Sequence, residues 1–344
     1  MKFMKILVLR LDRLGDLVLS LPAINSLREN FPEARISVMV KKEFKELIEG
    51  NASINEVIEF DPSGIHKGGL EKVKLAWEVR KKGFDLAIDL APVRNDFSAL
   101  VLLLSGARER VGYNVGLRRI GANRKMDFPK EIKYEVELTL DLLRKIGLKK
   151  INKELRIDVK KDNKKKINNL LKNLNLEKKL LIGMHPGVSG DIPEKAWKKE
   201  RYAELGKKLM NELNATIILT GNRKEKGLLG EINELMERKA YYFSELNAGE
   251  LAALIGEVNL YITNNSGPMH IAVALKKPTI VINAFSNTNR WGPKGENCTV
   301  LKKGLPCWPC ETGKPINCKR NFECINSIKV EHVFNAVKKQ LNLN

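Results

Sequence analysis

An α/β fold of two doubly wound parallel sheets is predicted by three features of this chain. Its 344 residues exceed one ordinary domain and suit two of about 150 residues each. Short apolar runs alternate with segments of helical periodicity, the pattern of a parallel sheet covered by helices. That alternation restarts after a lysine- and asparagine-rich stretch near the middle.

In the first half, residues 6–9, 36–40, 57–60 and 86–90 are short apolar runs and read as strands, while 17–30, 70–82 and 135–146 repeat apolar residues at helical spacing. The stretch 158–179 has weak helical periodicity and contains neither Gly nor Pro, so it reads as a solvated helix or connector. Strands are expected again at 180–183, 216–219, 260–263 and 279–282, each leading into a helix-like segment, and 330–341 reads as a closing helix. The expected organisation is a first domain over 1–160, a connector over 161–179, a second domain over 180–328 and a terminal helix over 329–344.

Composition narrows the class. A hydrophobic fraction of 43% with 30% charged residues is that of a globular protein, and the longest apolar run, 99–104, falls far short of the roughly 20 residues a spanning helix needs. Met1-Lys2-Phe3-Met4-Lys5 runs straight into the first strand without a cleavage pattern, so a cytoplasmic protein is expected. Lys and Arg number 61 against 41 Asp and Glu, a net charge of +20 that draws the protein toward polyanions such as nucleic acid, anionic lipid or phosphorylated glycans. The same lysine richness also follows from a heat-adapted or AT-biased genome.

Ligands in open α/β sheets collect at the carboxyl ends of strands, so the loops there are the candidates for chemistry. Three stand out. Arg10-Leu11-Asp12-Arg13-Leu14-Gly15-Asp16 follows the first strand; Gly15 permits a tight turn and Asp16 is expected at the N-cap of a helix beginning near Leu17. His185-Pro186-Gly187-Val188-Ser189-Gly190 has small residues that let backbone amides approach an anion, and Lys195-Ala196-Trp197 follows with a point charge for phosphate. Thr263-Asn264-Asn265-Ser266-Gly267-Pro268-Met269-His270 leaves a strand and opens a helix; Ser266 is a natural N-cap, and the exposed amides with the helix dipole suit a diphosphate. A plain capping role accounts for Asp16 or Ser266 equally well when each is taken alone.

Several chemistries are excluded. There is no Gly-x-Ser-x-Gly elbow, no His-Glu-x-x-His pair, no P-loop spacing and no Gly-x-Gly-x-x-Gly fingerprint. An Asp-x-Asp pair to hold a divalent ion on a sugar diphosphate is also missing from the sequence, so a sugar transferase built on this chain is expected to work without a metal and without a cofactor.

Taken together, Asp12-Arg13-Leu14-Gly15-Asp16 with Leu21-Pro22-Ala23-Ile24, His185-Pro186-Gly187 with Lys195-Ala196-Trp197, and Asn264-Asn265-Ser266-Gly267-Pro268-Met269-His270 resemble glycosyltransferase family 9, the heptosyltransferase family, in order and over nearly the whole chain. The resemblance implies a GT-B fold: two Rossmann-like doubly wound domains with an interdomain cleft, acceptor on the first and nucleotide sugar on the second. It implies an inverting transfer from a nucleotide-diphosphate sugar donor, typically ADP-heptose, to a glycan or glycolipid acceptor of the lipopolysaccharide core. Residue by residue it makes Asp16 the catalytic base and Lys195 a contact to donor phosphate. Glu225, after Gly221-Asn222-Arg223-Lys224, takes the place that holds the nucleotide ribose; His185, Gly187, Asn265, Ser266, Gly267 and His270 fall on the donor side, Arg13 and Gly15 on the acceptor side. The family often carries aspartate where this chain has Asn265, which puts sugar and nucleotide identity in doubt.

The basic excess suits an anionic acceptor or peripheral contact with an anionic membrane face, with Arg118-Arg119 and Arg124-Lys125 candidates to meet it. No nucleic acid is expected on this reading. The rival is a basic two-domain protein that grips RNA or another polyanion without catalysis, and a transferase using a UDP- or GDP-sugar is a further alternative. Cys307-Trp308-Pro309-Cys310, Cys318 and Cys324, with Cys298 upstream, leave open a structural metal site, a disulfide or unlinked thiols.

Overall fold

The computed structural model describes residues 4–188, 193–284, 286–308, 310 and 318–343. It divides into two compact units, Met1–Lys160 and Lys161–Asn344.

The first unit runs β1 (Lys5–Arg10), α1 (Leu14–Val18), α2 (Leu21–Asn30), β2 (Arg35–Lys41), α3 (Lys45–Ile48), β3 (Glu56–Phe60), α4 (Gly69–Lys81), β4 (Leu86–Asp89), α5 (Asp96–Leu104), β5 (Glu109–Tyr113), α6 (Arg118–Gly121), β6 (Arg124–Met126) and α7 (Glu135–Lys145). Its six strands pair in parallel in the order β3-β2-β1-β4-β5-β6. Central β1 is covered on both faces, and Ile6, Leu7, Val8 and Leu9 are all fully buried. That is why this strand reads as an unbroken apolar run rather than an alternating one. Each such side chain contributes about 1.5–3 kcal/mol by leaving water.

The expected helix over 17–30 is two helices. Helical periodicity continues across the break, but α1 ends at Val18 and α2 restarts at Leu21 with Pro22 in its first turn, where a residue without an N–H costs nothing.

The second unit runs α8 (Lys161–Asn173), β7 (Leu181–His185), α9 (Lys199–Leu213), β8 (Thr216–Thr220), α10 (Lys226–Leu235), β9 (Tyr241–Phe243), α11 (Ala248–Glu257), β10 (Leu260–Asn264), α12 (Gly267–Ala274), β11 (Thr279–Ile282), α13 (Thr288–Trp291), β12 (Cys298–Leu301), α14 (Glu323–Asn326) and α15 (Val330–Gln340). The sheet order is β12-β11-β10-β7-β8-β9, again all parallel. Read from the other edge, it repeats the first sheet: β7 stands where β1 stands, and β10 where β4 stands. The stretch expected as a connector begins with α8, whose Lys166 pairs with Glu250 on α11. Helix α15 packs on α9, where Lys208 pairs with Glu331 at 2.8 Å.

Candidate functional site

Each sheet reverses its order between two adjacent strands, β1 and β4 in the first unit and β7 and β10 in the second. Such a switch point opens a crevice at the strands' carboxyl ends. The candidate residues fall at these two places.

In the first unit β1 ends in Arg10, whose guanidinium is completely buried and surrounded by carboxylates: Glu135 at 2.9 Å, Asp16 at 3.4 Å and Asp12 at 3.6 Å. It also donates to the backbone oxygens of Leu90 (2.7 Å) and Asp16 (3.2 Å). Burial alone would lower its pKa; Asp16, Asp12 and Glu135 more than offset that and raise it. Arg10 is therefore a fixed positive charge that holds the Asp16 side chain and its backbone in one place. Beside it, burial pushes the Asp12 carboxyl up to about 6, opposed by Arg10.

Asp16 is not the N-cap that the sequence predicts. Arg13 occupies that position, and Asp16 is the third residue of α1, reaching back so that its Oδ2 accepts from the Arg13 backbone N–H at 3.2 Å. Gly15 is likewise inside the helix and buried rather than in a tight turn, and Arg13 is exposed. The register places Leu9 opposite Asp89, so a second buried charge sits at the end of β4. Ser98 Oγ donates to Asp89 at 2.6 Å and Arg118 lies 3.3 Å from it. Arg118, expected on the surface, is completely buried and also donates to the carbonyls of Ala91 and Val93. A buried carboxylate needs a cation beside it, and Asp89 takes this one.

In the second unit β7 ends in His185. Its Nδ1 lies 3.2 Å from Thr220 Oγ1 at the end of β8, and Thr220 in turn meets Tyr261 Oη at 2.7 Å. Burial pushes the His185 pKa down to about 4, so the ring is neutral near pH 7. Gly183 lets the Tyr261 ring lie flat against β7; a Cβ there would sit 2.6 Å from the ring. Two residues past His185, a Cβ at Gly187 would overlap the Glu225 carboxylate, so the glycine is what brings these two expected site residues together. Glu225 closes the turn Arg223–Glu225 and accepts from Asn222 N–H at 2.8 Å; burial raises its pKa.

Asn264, the last residue of β10, ties the remaining pieces. Its Nδ2 donates to Pro186 O at 2.7 Å, and its Oδ1 accepts from Trp197 N–H at 3.1 Å. Trp197 is itself pinned by Nε1 donating to Ile328 O at 2.8 Å. The half-buried Lys195, in the turn Pro193–Lys195, lies two residues before the Trp197 that Asn264 holds. Asn265 donates to Asn283 Oδ1 at 2.8 Å. Ser266 occupies the N-cap position of α12, yet its side chain makes no cap bond; its Oγ lies 3.2 Å from Thr263 Oγ1 instead. Gly267 is the first residue of α12 and His270 is buried on it. Ser189 and Gly190 of the expected phosphate loop lie outside the described residues.

The sequence did not single out Arg10 as a holder of Asp16, nor Glu135, Asp89, Asn264 as a bridge, or Asn283. A signal existed for Arg10: an arginine closing a run that is otherwise apolar up to the strand end. Glu135 lies 125 residues away, and nothing local marks it.

Cys298, Cys307, Cys310, Cys318 and Cys324 are free thiols. Among the described residues no three or more His, Cys, Asp or Glu side chains gather to hold a metal ion. Cys324 is buried in the core of this unit, Cys310 packs against that core and Cys307 is exposed. Burial pushes the Cys324 thiol up, and Cys298 to about 11, which disfavours the thiolate a metal or a nucleophilic role needs.

Two Rossmann-like units in one strand order, each with its polar groups at the switch point, are the layout of a GT-B glycosyltransferase. Residues 72–319 match the profile of glycosyltransferase family 9 (heptosyltransferase), and the chain belongs to that family. It is an enzyme rather than a non-catalytic polyanion binder. Lipopolysaccharide heptosyltransferase 2 of Escherichia coli is 28% identical over 316 residues, covering 87% of this chain and 88% of the relative. Lipooligosaccharide heptosyltransferase 2 of Campylobacter jejuni is 25% identical over 354 residues, with 98% of each chain covered. Among solved structures, a family 9 glycosyl transferase from Veillonella parvula matches with a TM-score of 0.87 at 24% identity over 99% of each chain. E. coli ADP-heptose lps heptosyltransferase II matches at 0.81 and 23%, covering 98% of this chain and 99% of that one; both establish the shared fold.

Proposed function

We propose that this enzyme is an inverting heptosyltransferase that moves the sugar of an ADP-linked donor to a hydroxyl of a lipopolysaccharide-core-like glycan, without a metal. The observation that carries the reading is Asp16, a carboxylate held at the end of β1 by a buried arginine. An acceptor hydroxyl is a weak nucleophile and needs a base within hydrogen-bond reach as it attacks the anomeric carbon. The hydroxyl proton passes to Asp16, the new glycosidic bond forms on one face of the sugar, and the bond to the diphosphate oxygen breaks on the other. A single displacement of this kind inverts the anomeric centre. Arg13 and Gly15, on the same helix, are assigned to the acceptor side.

The leaving diphosphate gains charge. Lys195 and the amides opening α12 at Gly267 stabilise it on this reading, which the lack of a side-chain cap from Ser266 supports. Asn265 and His270 belong to the same donor site. Glu225, packed on Gly187, is assigned to the ribose, and His185 supports that loop as a neutral member. The names of the E. coli and C. jejuni relatives support heptose and a lipopolysaccharide-type acceptor. Asn265 bears on sugar choice: its amide donates to Asn283, which an aspartate there could not do in the same arrangement.

Calorimetric titration of ADP, UDP and GDP, in EDTA and in magnesium, into the wild type and Lys195→Ala tests the donor assignment. Preference for ADP, unchanged by EDTA and weakened roughly 10- to 100-fold in the variant, is expected for a charge-assisted contact. Preference for UDP or GDP replaces the donor and keeps the transferase; no binding by the folded protein removes the donor site as drawn.

A further inference from the structure

Helix α4 is apolar on two sides. Leu75, Ala76 and Val79 turn into the core shared with Leu7, Leu9, Val101 and Ala122. Leu70, Val73 and Trp77 recur at i, i+3 and i+7 on the far side, and all three are exposed, Leu70 by 74%. At 100° per residue, Arg80 borders this stripe on one flank, Lys74 and Lys81 on the other, and all three are exposed. Arg80 lies over the Trp77 ring at 5.6 Å and bonds Leu104 O at 3.3 Å, which links α4 to α5.

The stripe continues across neighbouring helices. The right-handed crossovers that follow β3, β4 and β5 put α4, α5 and α6 in one layer on the same face of the sheet. Leu103 on α5 is exposed and packs beside Gly121 of α6, where Ile120 is 70% exposed and Arg119 stands next to it. An outer helix normally turns polar residues to water, and exposed large apolar side chains recurring on one helical layer mark a contact surface.

We propose that the outer face of the α4–α5–α6 layer docks the N-terminal unit on an anionic lipid bilayer, with Leu70, Val73 and Trp77 entering the headgroup region and Arg80, Lys74 and Lys81 meeting lipid phosphates. Charge complementarity selects this occupant. Three cations border the stripe, with exposed Glu78 one step beyond Lys74, and the chain carries +20, which attracts an anionic surface and repels a second copy of itself. Tryptophan with flanking lysine and arginine suits a membrane interface, the ring spanning the apolar boundary while the cations reach the phosphates. This goes beyond the proposed reaction and does not depend on donor or acceptor identity.

The test is co-sedimentation of the full chain with vesicles of phosphatidylglycerol and phosphatidylcholine, against phosphatidylcholine alone, with tryptophan emission read in parallel. Binding to the anionic vesicles is expected, with a blue shift that disappears in Trp77→Phe. The double variant Leu70→Glu/Trp77→Glu, at two exposed positions, is expected to lower partitioning about tenfold or more while binding ADP as the wild type does. Lys339→Glu, on α15 of the other unit, lowers net charge by as much as the double variant does and is expected to leave partitioning within about twofold. Three results would overturn the assignment: no binding to anionic vesicles, binding that the double variant leaves intact, or an equal loss in Lys339→Glu. A wild-type dimer in lipid-free solution that the double variant dissociates would assign the face to a second copy instead.

Discussion

In the first unit β1 ends in a buried arginine and β4 in a buried aspartate; at the matching places in the second unit, β7 ends in a neutral histidine and β10 in an asparagine. The strand order is the same and the chemistry is not. Arg10 with Asp12, Asp16 and Glu135 forms a charged cluster that fixes a carboxylate, as the base role proposed for Asp16 requires. His185, Thr220, Tyr261 and Asn264 form an uncharged network that shapes loops and adds no negative charge of its own beside a diphosphate. A fold thus sets where ligands sit, and the last residue of each strand sets what is done with them.

Removing one member of the charged cluster has the largest expected effect on stability. Arg10→Met leaves Glu135 buried without its cation and is expected to cost about 3–5 kcal/mol in urea unfolding of the chain. Adding Glu135→Gln is expected to recover part of that loss; no recovery would show that Arg10 acts through packing alone.

The neutral network makes an opposite prediction about pH. His185 titrates near 6.5 when unfolded and about 4 when folded, so its contribution is fully present above pH 6.5 and is lost as pH falls toward 4. That contribution is on the order of 3 kcal/mol. Subtracting the pH–stability curve of His185→Asn from that of the wild type isolates it, and a flat difference between pH 4 and 7 would break the comparison.

Asn264→Ala deletes the bridge between Pro186 O and Trp197 N–H and is expected to cost about 1–3 kcal/mol. Donor affinity should fall with it, because the segment carrying Lys195 loses its anchor. Asp12 gives the converse test of pH dependence. Its folded pKa lies above the unfolded value, so the folded state favours the protonated form and stability falls as pH rises from about 4 to about 6. Asp12→Asn should therefore gain on the order of 3 kcal/mol at pH 7 in the same unfolding assay, with the gain vanishing below pH 4.

The central strands were legible because burial on both faces writes them as continuous apolar runs, as in Ile6 to Leu9. Edge strand β3 was legible too, but β5, β6, β9 and β12 were not. β6 is Arg-Lys-Met and β5 reads Glu-Arg-Val-Gly-Tyr, since strands near a sheet's rim carry polar residues that no periodicity separates from a loop. In the site, Asp16, Gly187 and Asn265 could be named because they closely follow recognisable strands, and Glu225 because the family resemblance places it. What they do locally could not: the N-cap expected of Asp16 belongs to Arg13, and Arg118 left the surface for Asp89. The pairing of Asn265 with Asn283 follows from strand register and that of Arg10 with Glu135 from where α7 begins, and single-residue patterns carry neither.

The division of labour between the two strand-end sites is tested most directly by Asp16→Asn. The measurement is turnover with ADP-heptose and a lipopolysaccharide-core acceptor, with ADP affinity measured on the same preparation. The account predicts a fall in turnover of about 10²–10⁴-fold with ADP affinity unchanged within about twofold. Turnover that survives within a few-fold would contradict Asp16 as the base, whatever the nucleotide affinity.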